Sequence, residues 1–348
     1  MKAVVVECDY QNPQVERLIE PAKSLASGGI VVFPTETVYG IGANAFDGEA
    51  CGRIFRTKGR PADNPLIVHV SGIEMARTVC DLDDRWVPKL VKFWPGPLTV
   101  VVKSSPSVSA EARAGLETVA VRSPSSPVAR ALIDLSGVPV AAPSANLSTR
   151  PSITDGDSAI MELGDLVDFI IVSGRSPFGI ESTVIDLTST PVRLLRAGST
   201  SLEELEKVFG KIEVTDTAKG IGEDARPLTP GSKYRHYSPV RPLYLVSRNQ
   251  VISIGNDDRF SNYLFLCSDE VAAKIRNQSF RLGSETDLDG VARNLYYAFR
   301  ELDQRNVRGG FITMFSGKGM GLALENRIRK ATSPVPPAIS SMIEELSN

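Results

Sequence analysis

Short apolar runs alternate with amphipathic stretches along the first 210 or so residues of the chain. The runs have the length and composition of buried strands. They predict strands at Ile30–Phe33, Leu66–Val70, Leu98–Val102, Thr118–Val121, Val138–Ala142, Phe169–Val172, Thr183–Asp186 and Arg193–Arg196. Helical periodicity lies between several of them, at Gln14–Ser27, Gly48–Thr57, Asp84–Phe93, Pro127–Ser136 and Ser201–Phe209. This alternation predicts an α/β fold, and the short strand-to-strand links favour a twisted mixed sheet flanked by helices.

The pattern stops near Val214 and resumes at Leu243. Residues 215–240 carry Gly, Pro, Asp and Thr without apolar periodicity, which is typical of a linker. Alternating strand and helix patterns follow at Leu243–Val246, Tyr263–Cys267, Glu270–Arg276, Ser279–Gly283, Leu288–Asn306, Gly310–Phe315 and Gly321–Ala331. Because 348 residues exceed the size of one ordinary core, we predict an N-terminal domain over 1–214, a linker over 215–240, and a smaller α/β, Rossmann-like domain over 241–348.

Composition narrows the class of protein. A hydrophobic content of 42% and an aromatic content of 7% are those of an ordinary globular chain, and the net charge of −2 argues against a general nucleic-acid coat. The four cysteines form no C-x-x-C pair and there are two histidines, so no metal site is predicted. With no signal-like N-terminus and no apolar run of about 18 residues, a cytoplasmic location is expected and membrane association is not.

Two segments carry candidate chemistry. Lys58-Gly59-Arg60 stands just before a predicted strand, where a compact cation and a planar guanidinium would grip a polyanion. Pro143-Ser144-Ala145-Asn146 ends another strand with small hydrogen-bonding groups. Taken alone, the first segment is more often a solvated basic loop, and the second more often an Asx-type turn. Together they favour a ligand site.

The segment Gly40-Ile41-Gly42-Ala43-Asn44-Ala45 matches a loose dinucleotide-binding fingerprint. A true fingerprint opens a helix directly after a strand, whereas these glycines follow a hydroxyl-rich turn. Ser316-Gly317-Lys318-Gly319 likewise falls short of a P-loop. Nicotinamide binding and a P-loop nucleotide site are therefore not expected.

Five separated motifs occur in a distinctive order, namely PTETVYGIG from Pro34, Lys58-x-Arg60, Ser144-x-Asn146, Glu181-Ser182-Thr183-Val184 and Leu195-Arg196-Ala197-Gly198. In this order they resemble the YrdC family. The segment Pro230–Pro239, reading PGSKYRHYSP, is similar to the linker of the long, two-domain form of that family. The resemblance covers roughly the first 200 residues and the linker.

The resemblance implies a nucleotidyltransferase reaction. L-threonine, bicarbonate or CO2, and ATP would give L-threonylcarbamoyladenylate and pyrophosphate. The adenylate would pass to a separate transferase complex that forms N6-threonylcarbamoyladenosine in tRNA, next to the anticodon. Mg2+ is expected with the nucleotide, as is usual for ATP chemistry. Direct binding of tRNA stays open.

The resemblance also implies roles for individual residues. Lys58, Arg60, Ser144 and Asn146 would act at the reacting groups. ATP would be bound by Lys58, Arg60, Asn64, Thr118, Ser144, Asn146, Ser152 and Arg196. Tyr234 and His236 join this set as candidates because of their own side chains in the linker. L-threonine would be bound by Thr35, His69, Arg122, Ala142 and Ser182, with Arg122 as the bidentate carboxylate clamp. His69 is equally well read as a structural histidine.

The linker segment Lys233-Tyr234-Arg235-His236-Tyr237 is too rich in large polar side chains for a simple tether. We expect it to fold over the nucleotide as a lid, with Tyr234 or His236 on ATP and Arg235 near the phosphates. The alternative is a segment that only pins the two domains together.

Two other functions stay open. A concave, positively charged α/β surface would also suit an RNA-binding module without catalysis, which predicts salt-sensitive RNA binding without ATP. Carbamoyl-phosphate-dependent carbamoyl transfer is the second, because related domains occur in hydrogenase-maturation enzymes. Those proteins carry zinc-finger and acylphosphatase modules that this sequence lacks.

Overall fold

The computed structural model describes residues 2–222, 228–229 and 237–347. They divide into two compact units. The first holds the described residues up to 148 and from 152 to 229, and the second holds residues 149–151 and 237 onward. None of the described helices combines the length and apolar composition needed to cross a bilayer.

The first unit alternates strands and helices. Its helices are α1 (Val15–Ala26), α2 (Gly48–Lys58), α3 (Ile73–Val79), α4 (Val87–Leu90), α5 (Pro127–Ser136), α6 (Gly156–Leu163) and α7 (Leu202–Phe209). Its strands are β1 (Val4–Glu7), β2 (Val31–Phe33), β3 (Gly40–Asn44), β4 (Ile67–His69), β5 (Leu98–Lys103), β6 (Thr118–Arg122), β7 (Val140–Ala142), β8 (Phe169–Val172), β9 (Thr183–Asp186), β10 (Arg193–Arg196) and β11 (Glu213–Val214). Side chains cap several helices, and α7 begins with the full capping box of Ser201 and Glu204.

The strands of the first unit form one mixed sheet in the order β1-β8-β2-β3-β7-β4-β6-β5-β9-β10-β11. The sheet contains parallel pairs, such as β4 with β6, and antiparallel pairs, such as β5 with β6. The predicted α/β class with a twisted mixed sheet is confirmed. Helices α1 and α5 cover part of the sheet through a core that includes Leu18, Phe33 and Leu132.

The fingerprint-like segment is strand β3, paired antiparallel with β2. A β-carbon at Gly42 would lie 2.5 Å from a methyl carbon of Val140 and 2.8 Å from the ring of Phe33. The glycine therefore allows close packing within the sheet and does not begin a phosphate-binding helix.

The second unit is a four-stranded, wholly parallel sheet with helices on its faces. Its strands are β12 (Leu243–Leu245), β13 (Tyr263–Cys267), β14 (Ser279–Arg281) and β15 (Gly309–Ile312), in the order β12-β15-β13-β14. Its helices are α8 (Arg248–Ile254), α9 (Asp269–Ala272), α10 (Leu288–Gln304), α11 (Gly321–Ala331) and α12 (Pro337–Ser347), with a 3-10 turn at Asp258–Phe260. This arrangement is the expected Rossmann-like one.

Candidate active site

The centre of the first unit's sheet carries an apolar floor of Ile67, Val101, Ala120, Val184 and Leu195. The strand register pairs Ile67 with Ala120, and Val101 with Ala120, so these side chains share one face.

One row further along the same strands, the register pairs His69 with Arg122 and Thr99 with Arg122. Because alternate residues of a strand lie on one face, these polar side chains stand beside the apolar floor. The sheet thus brings together residues that are up to 53 positions apart in the sequence.

Lys58 is the last residue of α2, and Gly59 ends that helix in the left-handed conformation with φ of 59°. The lysine is only 3% exposed. Its ammonium donates to the carbonyl of Ser144 at 2.5 Å and also to the carbonyl of Asn146. The cation predicted to lie in a loop is therefore at a helix end, and it joins that helix to the loop after β7.

Arg60 lies on the other side of Gly59 and is partly exposed. Its guanidinium donates to the carbonyls of Asn64 and Pro65, each at 3.0 Å. These two bonds close the loop between α2 and β4 and fix the position of the positive charge.

Asn64 and Thr118 carry polar groups that the fold leaves unsatisfied. The Asn64 side chain is 1% exposed, and neither atom of its amide has a hydrogen-bond partner among the described residues. The hydroxyl of Thr118, at the start of β6, is likewise buried with no partner in that part of the chain. Buried polar groups are normally hydrogen-bonded, so such groups indicate a ligand or ordered water.

The loop after β7 is held from two sides. Ser144 forms a bridge with Gly40, and its hydroxyl donates to the side-chain carbonyl of Asn146 at 2.6 Å. The Asn146 amide nitrogen in turn donates to the Leu147 carbonyl at 2.8 Å. Ala142, the last residue of β7, pairs with Ile67 in β4. The turn is therefore a rigid scaffold that presents one hydroxyl and one amide.

Arg122 and Glu36 form an ion pair that is almost completely buried. Nη2 of Arg122 lies 2.7 Å from Oε1 of Glu36, and the side chains are 4% and 3% exposed. Nη1 of Arg122 donates to the Thr37 hydroxyl at 2.9 Å. Burial alone would raise the pKa of Glu36, but the Arg122 cation and backbone donors hold that pKa below its ordinary value.

His69 lies beside this pair on the neighbouring strand. Burial and, next, the Arg122 charge lower the pKa of His69 to about 3. Its Nδ1 is 3.1 Å from the Ile67 carbonyl, and its ring meets Phe33 edge-on at 6.2 Å between centroids. The imidazole is therefore neutral at physiological pH, which fits both a structural role and an uncharged ligand contact.

The folded-state pKa of His69 predicts an acid-sensitive stability. The folded pKa lies below the ordinary value of 6.5, so below pH 6.5 the unfolded chain binds the proton more readily. The free energy of unfolding should then fall by about 1.4 kcal/mol per pH unit between 6.5 and the folded value. Urea unfolding at pH 7.0 and 5.5 measures this slope. In His69→Asn the free energy of unfolding should depend less steeply on pH, by that amount. Equal slopes in the variant and the wild type would contradict the low folded-state pKa of His69.

A second polar group lies where β5, β9 and β10 meet. The hydroxyls of Thr99 and Ser182 are 2.8 Å apart. Arg196, 6% exposed, donates from Nε to the Ser182 carbonyl and from Nη2 to the Ser182 hydroxyl, both at 3.0 Å. This network places a buried cation at the edge of the apolar floor.

Two further predicted residues are positioned by short local contacts. The Thr35 hydroxyl donates to the Val38 carbonyl at 2.6 Å and lies 2.8 Å from the Thr37 hydroxyl. Ser152 is fully buried and donates to Oε1 of Glu181 at 2.6 Å. The predicted residues Tyr234 and His236, and Arg235 between them, lie outside the described residues.

Four polar residues of this region were not assigned roles from the sequence: Glu36, Thr37, Thr99 and Glu181. Glu36 and Thr37 are in the PTETVYGIG motif, and Glu181 opens the Glu181–Val184 motif, so the motifs already contained three of them. Thr99 had no such signal, because it stands within an apolar strand and only the register places it next to Arg122.

Comparison with known proteins matches both units. A family model described as telomere recombination matches residues 23–198, and one described as the threonylcarbamoyl-AMP synthase C-terminal domain matches residues 200–333. The threonylcarbamoyl-AMP synthase of Pyrococcus abyssi is 40% identical over 323 residues, covering 88% of this chain and 92% of the relative. The threonylcarbamoyl-AMP synthase of Bacillus subtilis is 37% identical over 343 residues, covering 94% of this chain and 95% of the relative.

The fold is similar to a solved structure over nearly its whole length. The crystal structure of Pyrococcus abyssi Sua5 complexed with L-threonine superposes with a TM-score of 0.89 at 37% sequence identity. The match covers 95% of this chain and 98% of that protein.

Proposed function

The chain belongs to the threonylcarbamoyl-AMP synthase family, and from that premise we infer that it condenses L-threonine, bicarbonate or CO2, and ATP into L-threonylcarbamoyladenylate. Pyrophosphate is the second product. The enzyme is a nucleotidyltransferase, and its adenylate serves the formation of N6-threonylcarbamoyladenosine in tRNA. A structural relative binds L-threonine, which supports the amino acid as a substrate.

The observation that carries the proposal is the Lys58 ammonium, buried between the carbonyls of Ser144 and Asn146. It places a fixed positive charge beside a hydroxyl and an amide on a rigid loop. The carboxylate of a threonine carbamate attacks the α-phosphorus of ATP, and pyrophosphate leaves. Both reactants are anions, so the protein must hold them together and offset their repulsion.

The charges of the site fit this requirement. Lys58, Arg60, Arg122 and Arg196 contribute four positive charges. Glu36, Glu181 and Glu162, whose carboxylate accepts from the Leu147 N–H of the loop after β7, contribute three negative ones. The formal excess is therefore +1 (4 − 3) in a region where most of these side chains are buried. At low effective dielectric such an excess attracts a triphosphate strongly.

Each nucleotide contact is proposed from a specific group. Lys58 and Arg60 bind the triphosphate, and Ser144 and Asn146 bind near the α-phosphate. The unpartnered groups of Asn64 and Thr118 gain hydrogen bonds from the nucleotide. Arg196 binds a phosphate or the ribose, and Ser152 positions Glu181 at the border of the site.

Mg2+ would accompany the triphosphate, since this ion is usually held by substrate phosphates with a few protein oxygens. The side chains of Ser144 and Asn146 offer oxygens of that kind.

The threonine pocket is proposed around Arg122. Glu36 and Thr37 fix the plane of its guanidinium, which then receives the threonine carboxylate. Thr35 and Ser182 are the hydroxyl partners, Ala142 offers a backbone contact, and His69 is a neutral contact. No residue of the site acts as a nucleophile. The protein binds, orients and excludes water.

We expect Arg122→Lys to weaken threonine binding and to leave ATP binding intact. Lysine keeps the charge but loses the planar fork and its bond to Thr37. Isothermal titration with each substrate measures the two affinities. Arg193→Lys serves as the matched control, because Arg193 pairs with Asp186 and has no proposed ligand. Weaker ATP binding with unchanged threonine binding would mean that the two pockets are exchanged.

The linker is proposed to act as a lid over the site. Among its described residues, Leu228 packs against the apolar floor, and Thr229 is 1% exposed. A segment that covers the floor would protect the labile adenylate from water and would have to open for release. Tyr234, Arg235 and His236 are the proposed nucleotide contacts within it.

Ligand-dependent proteolysis tests the lid. Cleavage within residues 215–240 should slow when ATP and threonine are both present. A chain truncated after Val214 should make little adenylate or lose it to hydrolysis. Equal cleavage with and without ligands, together with full activity of the truncated chain, would leave the linker as a spacer.

One assay tests the function as a whole. Purified protein is incubated with ATP, L-threonine and bicarbonate, and the adenylate is detected by mass. Pyrophosphate release that does not require threonine, or salt-sensitive RNA binding without adenylate formation, would overturn the proposal. We further propose a cytoplasmic location and transfer of the adenylate to a separate tRNA-modifying complex.

A further inference from the structure

Glu162 of α6 has no place among the substrate contacts proposed above, yet its carboxylate touches the loop that carries two of them. Oε1 of Glu162 accepts a hydrogen bond from the backbone N–H of Leu147 at 2.5 Å. Leu147 directly follows Asn146 and stands three residues after Ser144. A carboxylate beside groups proposed to bind a triphosphate opposes that binding through its charge. Its presence there calls for another role.

The peptide unit between Asn146 and Leu147 is held at its two ends by opposite charges. Its carbonyl, that of Asn146, accepts from the ammonium of Lys58, and its N–H, that of Leu147, donates to the carboxylate of Glu162. Hydrogen bonds with one ionised partner are about twice as strong as bonds between neutral groups. Because the C=O and the N–H of a planar trans peptide point in opposite directions, the two bonds together fix the plane of this peptide.

The fixed peptide sets the direction of the Asn146 side chain. Its amide nitrogen donates to the Leu147 carbonyl at 2.8 Å, and its side-chain oxygen accepts from the Ser144 hydroxyl at 2.6 Å. On the far side of the peptide, the N–H of Ser148 donates to the Lys58 carbonyl at 3.0 Å. A rotation of the peptide at Leu147 would therefore displace both side chains that are proposed to bind near the α-phosphate.

Helix α6 presents the Glu162 carboxylate from a defined position. Asp155 caps the start of this helix by accepting from the N–H of Ser158 at 2.8 Å. A β-carbon on Gly156 would lie 2.8 Å from the β-carbon of Val172, so the first turn packs closely against β8. Ser158 is buried, and Glu162 lies one turn further on the same face of the helix. The carboxylate is thus directed inward from an anchored helix.

We propose that Glu162 is a positioning residue for the ATP subsite. By holding the N–H of Leu147, it keeps the Asn146 amide and the Ser144 hydroxyl aligned for the nucleotide. The proposal rests on the function proposed above, since it takes Ser144 and Asn146 as nucleotide contacts. Glu162 acts through the loop and not on the reacting atoms. Such alignment matters because a displacement of about 1 Å at a reacting group can reduce the rate by about 10²-fold.

Two substitutions separate positioning from a simple effect of charge. If Glu162 were only a negative charge beside the site, both Glu162→Gln and Glu162→Ala would strengthen ATP binding, because each removes the same repulsion. If Glu162 positions the loop, the two variants differ. Glutamine keeps an oxygen that can accept from the Leu147 N–H, whereas alanine leaves that donor without its partner.

Steady-state kinetics at varied ATP give the first readout. Glu162→Ala should raise the KM for ATP by about tenfold or more and lower kcat, and Glu162→Gln should recover most of this loss. The KM for threonine should not change, because Arg122 and its partners lie outside residues 144–148. Glu204→Ala is the matched control, since the Glu204 carboxylate also accepts a backbone N–H, from Ser201 at 2.9 Å in the capping box of α7. It should change neither KM.

Hydrogen exchange without substrates gives a readout that does not depend on the proposed function. In the full-length chain labelled with 15N-leucine, Leu147 is assigned through Leu147→Met. Its amide should exchange about tenfold faster or more in Glu162→Ala than in the wild type, and nearly at the wild-type rate in Glu162→Gln. Leu66 is the internal reference for the stability of the first unit, because it is fully buried and its N–H donates to the Ala112 carbonyl at 2.8 Å.

Unchanged exchange at Leu147 in Glu162→Ala would overturn the proposal, and so would tighter ATP binding in both variants. If Leu66 also exchanges faster in Glu162→Ala, the whole unit is destabilised and Glu162→Gln decides. Near-wild-type exchange and KM for ATP in that variant support positioning, and weaker ATP binding with unchanged exchange at Leu147 contradicts it. If the wild type makes no adenylate, the proposed function fails, while exchange at Leu147 still reports whether Glu162 holds the loop.

Discussion

Lys58→Met should reduce threonine-dependent pyrophosphate release by about 10²- to 10³-fold, the usual loss when one preorganised electrostatic contact to a transition state is removed. The ammonium is 3% exposed and bonded to two loop carbonyls, so its charge is already in position before the substrates bind. Methionine fills a similar volume but supplies neither the charge nor the bonds. Lys92→Met is the matched control, because Lys92 is exposed. Turnover equal to that of the control would exclude Lys58 from the site.

The same variant should also melt at a lower temperature, because the carbonyls of Ser144 and Asn146 lose a buried donor. Stability must therefore be separated from ligand binding. At a hundredfold excess over its dissociation constant, ATP should stabilise the wild-type protein by about 2.7 kcal/mol. Lys58→Met combined with Arg60→Ala should lose this increment but keep the increment given by threonine. Loss of both increments would indicate a folding defect, and retention of both would contradict the phosphate assignment.

The apolar runs were sufficient to predict most of the buried elements. Strands β8, β9, β10 and β13 begin and end where the sequence indicates. Strands β8 and β13 are continuous apolar runs, and β9 and β10 are apolar pairs with a polar residue at each end. Strands β1 and β3 were not predicted. Strand β1, VVVE, is a short run of valines that is mostly exposed in the structure, and β3 is rich in glycine, which is unfavourable in strands.

Some predicted helices are shorter in the structure. The helix expected over 84–93 is only α4, Val87–Leu90, with turns on either side. Pro88 suits the first turn of a helix, and Pro95 prevents its continuation. The spacing of apolar residues in this segment indicates which side packs against the core. It does not determine where the helix begins and ends.

The motifs predicted the residues of the candidate site, but not which of these residues pair with one another. Arg122 was predicted at the end of a strand, yet its partner Glu36 lies 86 positions earlier. Likewise, Lys58 bonds to carbonyls that are 86 and 88 positions away. Local propensity carries no information on such contacts, because the order and register of the sheet decide them. The sequence therefore predicted candidate site residues and left open which of them neutralise one another.

The buried pair of Glu36 and Arg122 leads to the largest expected effect on stability. Glu36→Gln should lower the free energy of unfolding by about 3–5 kcal/mol, because it leaves the Arg122 cation buried without its counter-charge. Glu49→Gln is the matched control. Its pair with Arg56 is mostly exposed, and such pairs contribute at most about 1 kcal/mol. Denaturant unfolding at pH 7 compares the two.

The pH dependence of the free energy of unfolding tests whether the charge of Glu36 causes this loss of stability. The pKa of Glu36 in the folded protein is below its ordinary value of 4.5. Its contribution to stability is therefore fully present above pH 4.5 and is lost as the pH falls through the folded value. Glu36→Gln should lack this loss, so the stabilities of the wild type and the variant should converge in acid. A constant difference at every pH would mean that glutamine acts through packing and not through charge.

A double-mutant cycle then separates the interaction energy of the Glu36–Arg122 pair from the effect of each single substitution. Glu36→Gln with Arg122→Met removes both charges, and it should cost less stability than Glu36→Gln alone because no buried charge is left unpaired. Threonine gives an independent check. In Glu36→Gln its carboxylate can supply the missing counter-charge, so threonine should raise the melting temperature of this variant more than that of the wild type. If the double variant is less stable than Glu36→Gln, then an unpaired buried charge is not what destabilises the single variant. If threonine stabilises Glu36→Gln and the wild type equally, then Arg122 does not face the threonine carboxylate, and the clamp must be sought at another cation of the site.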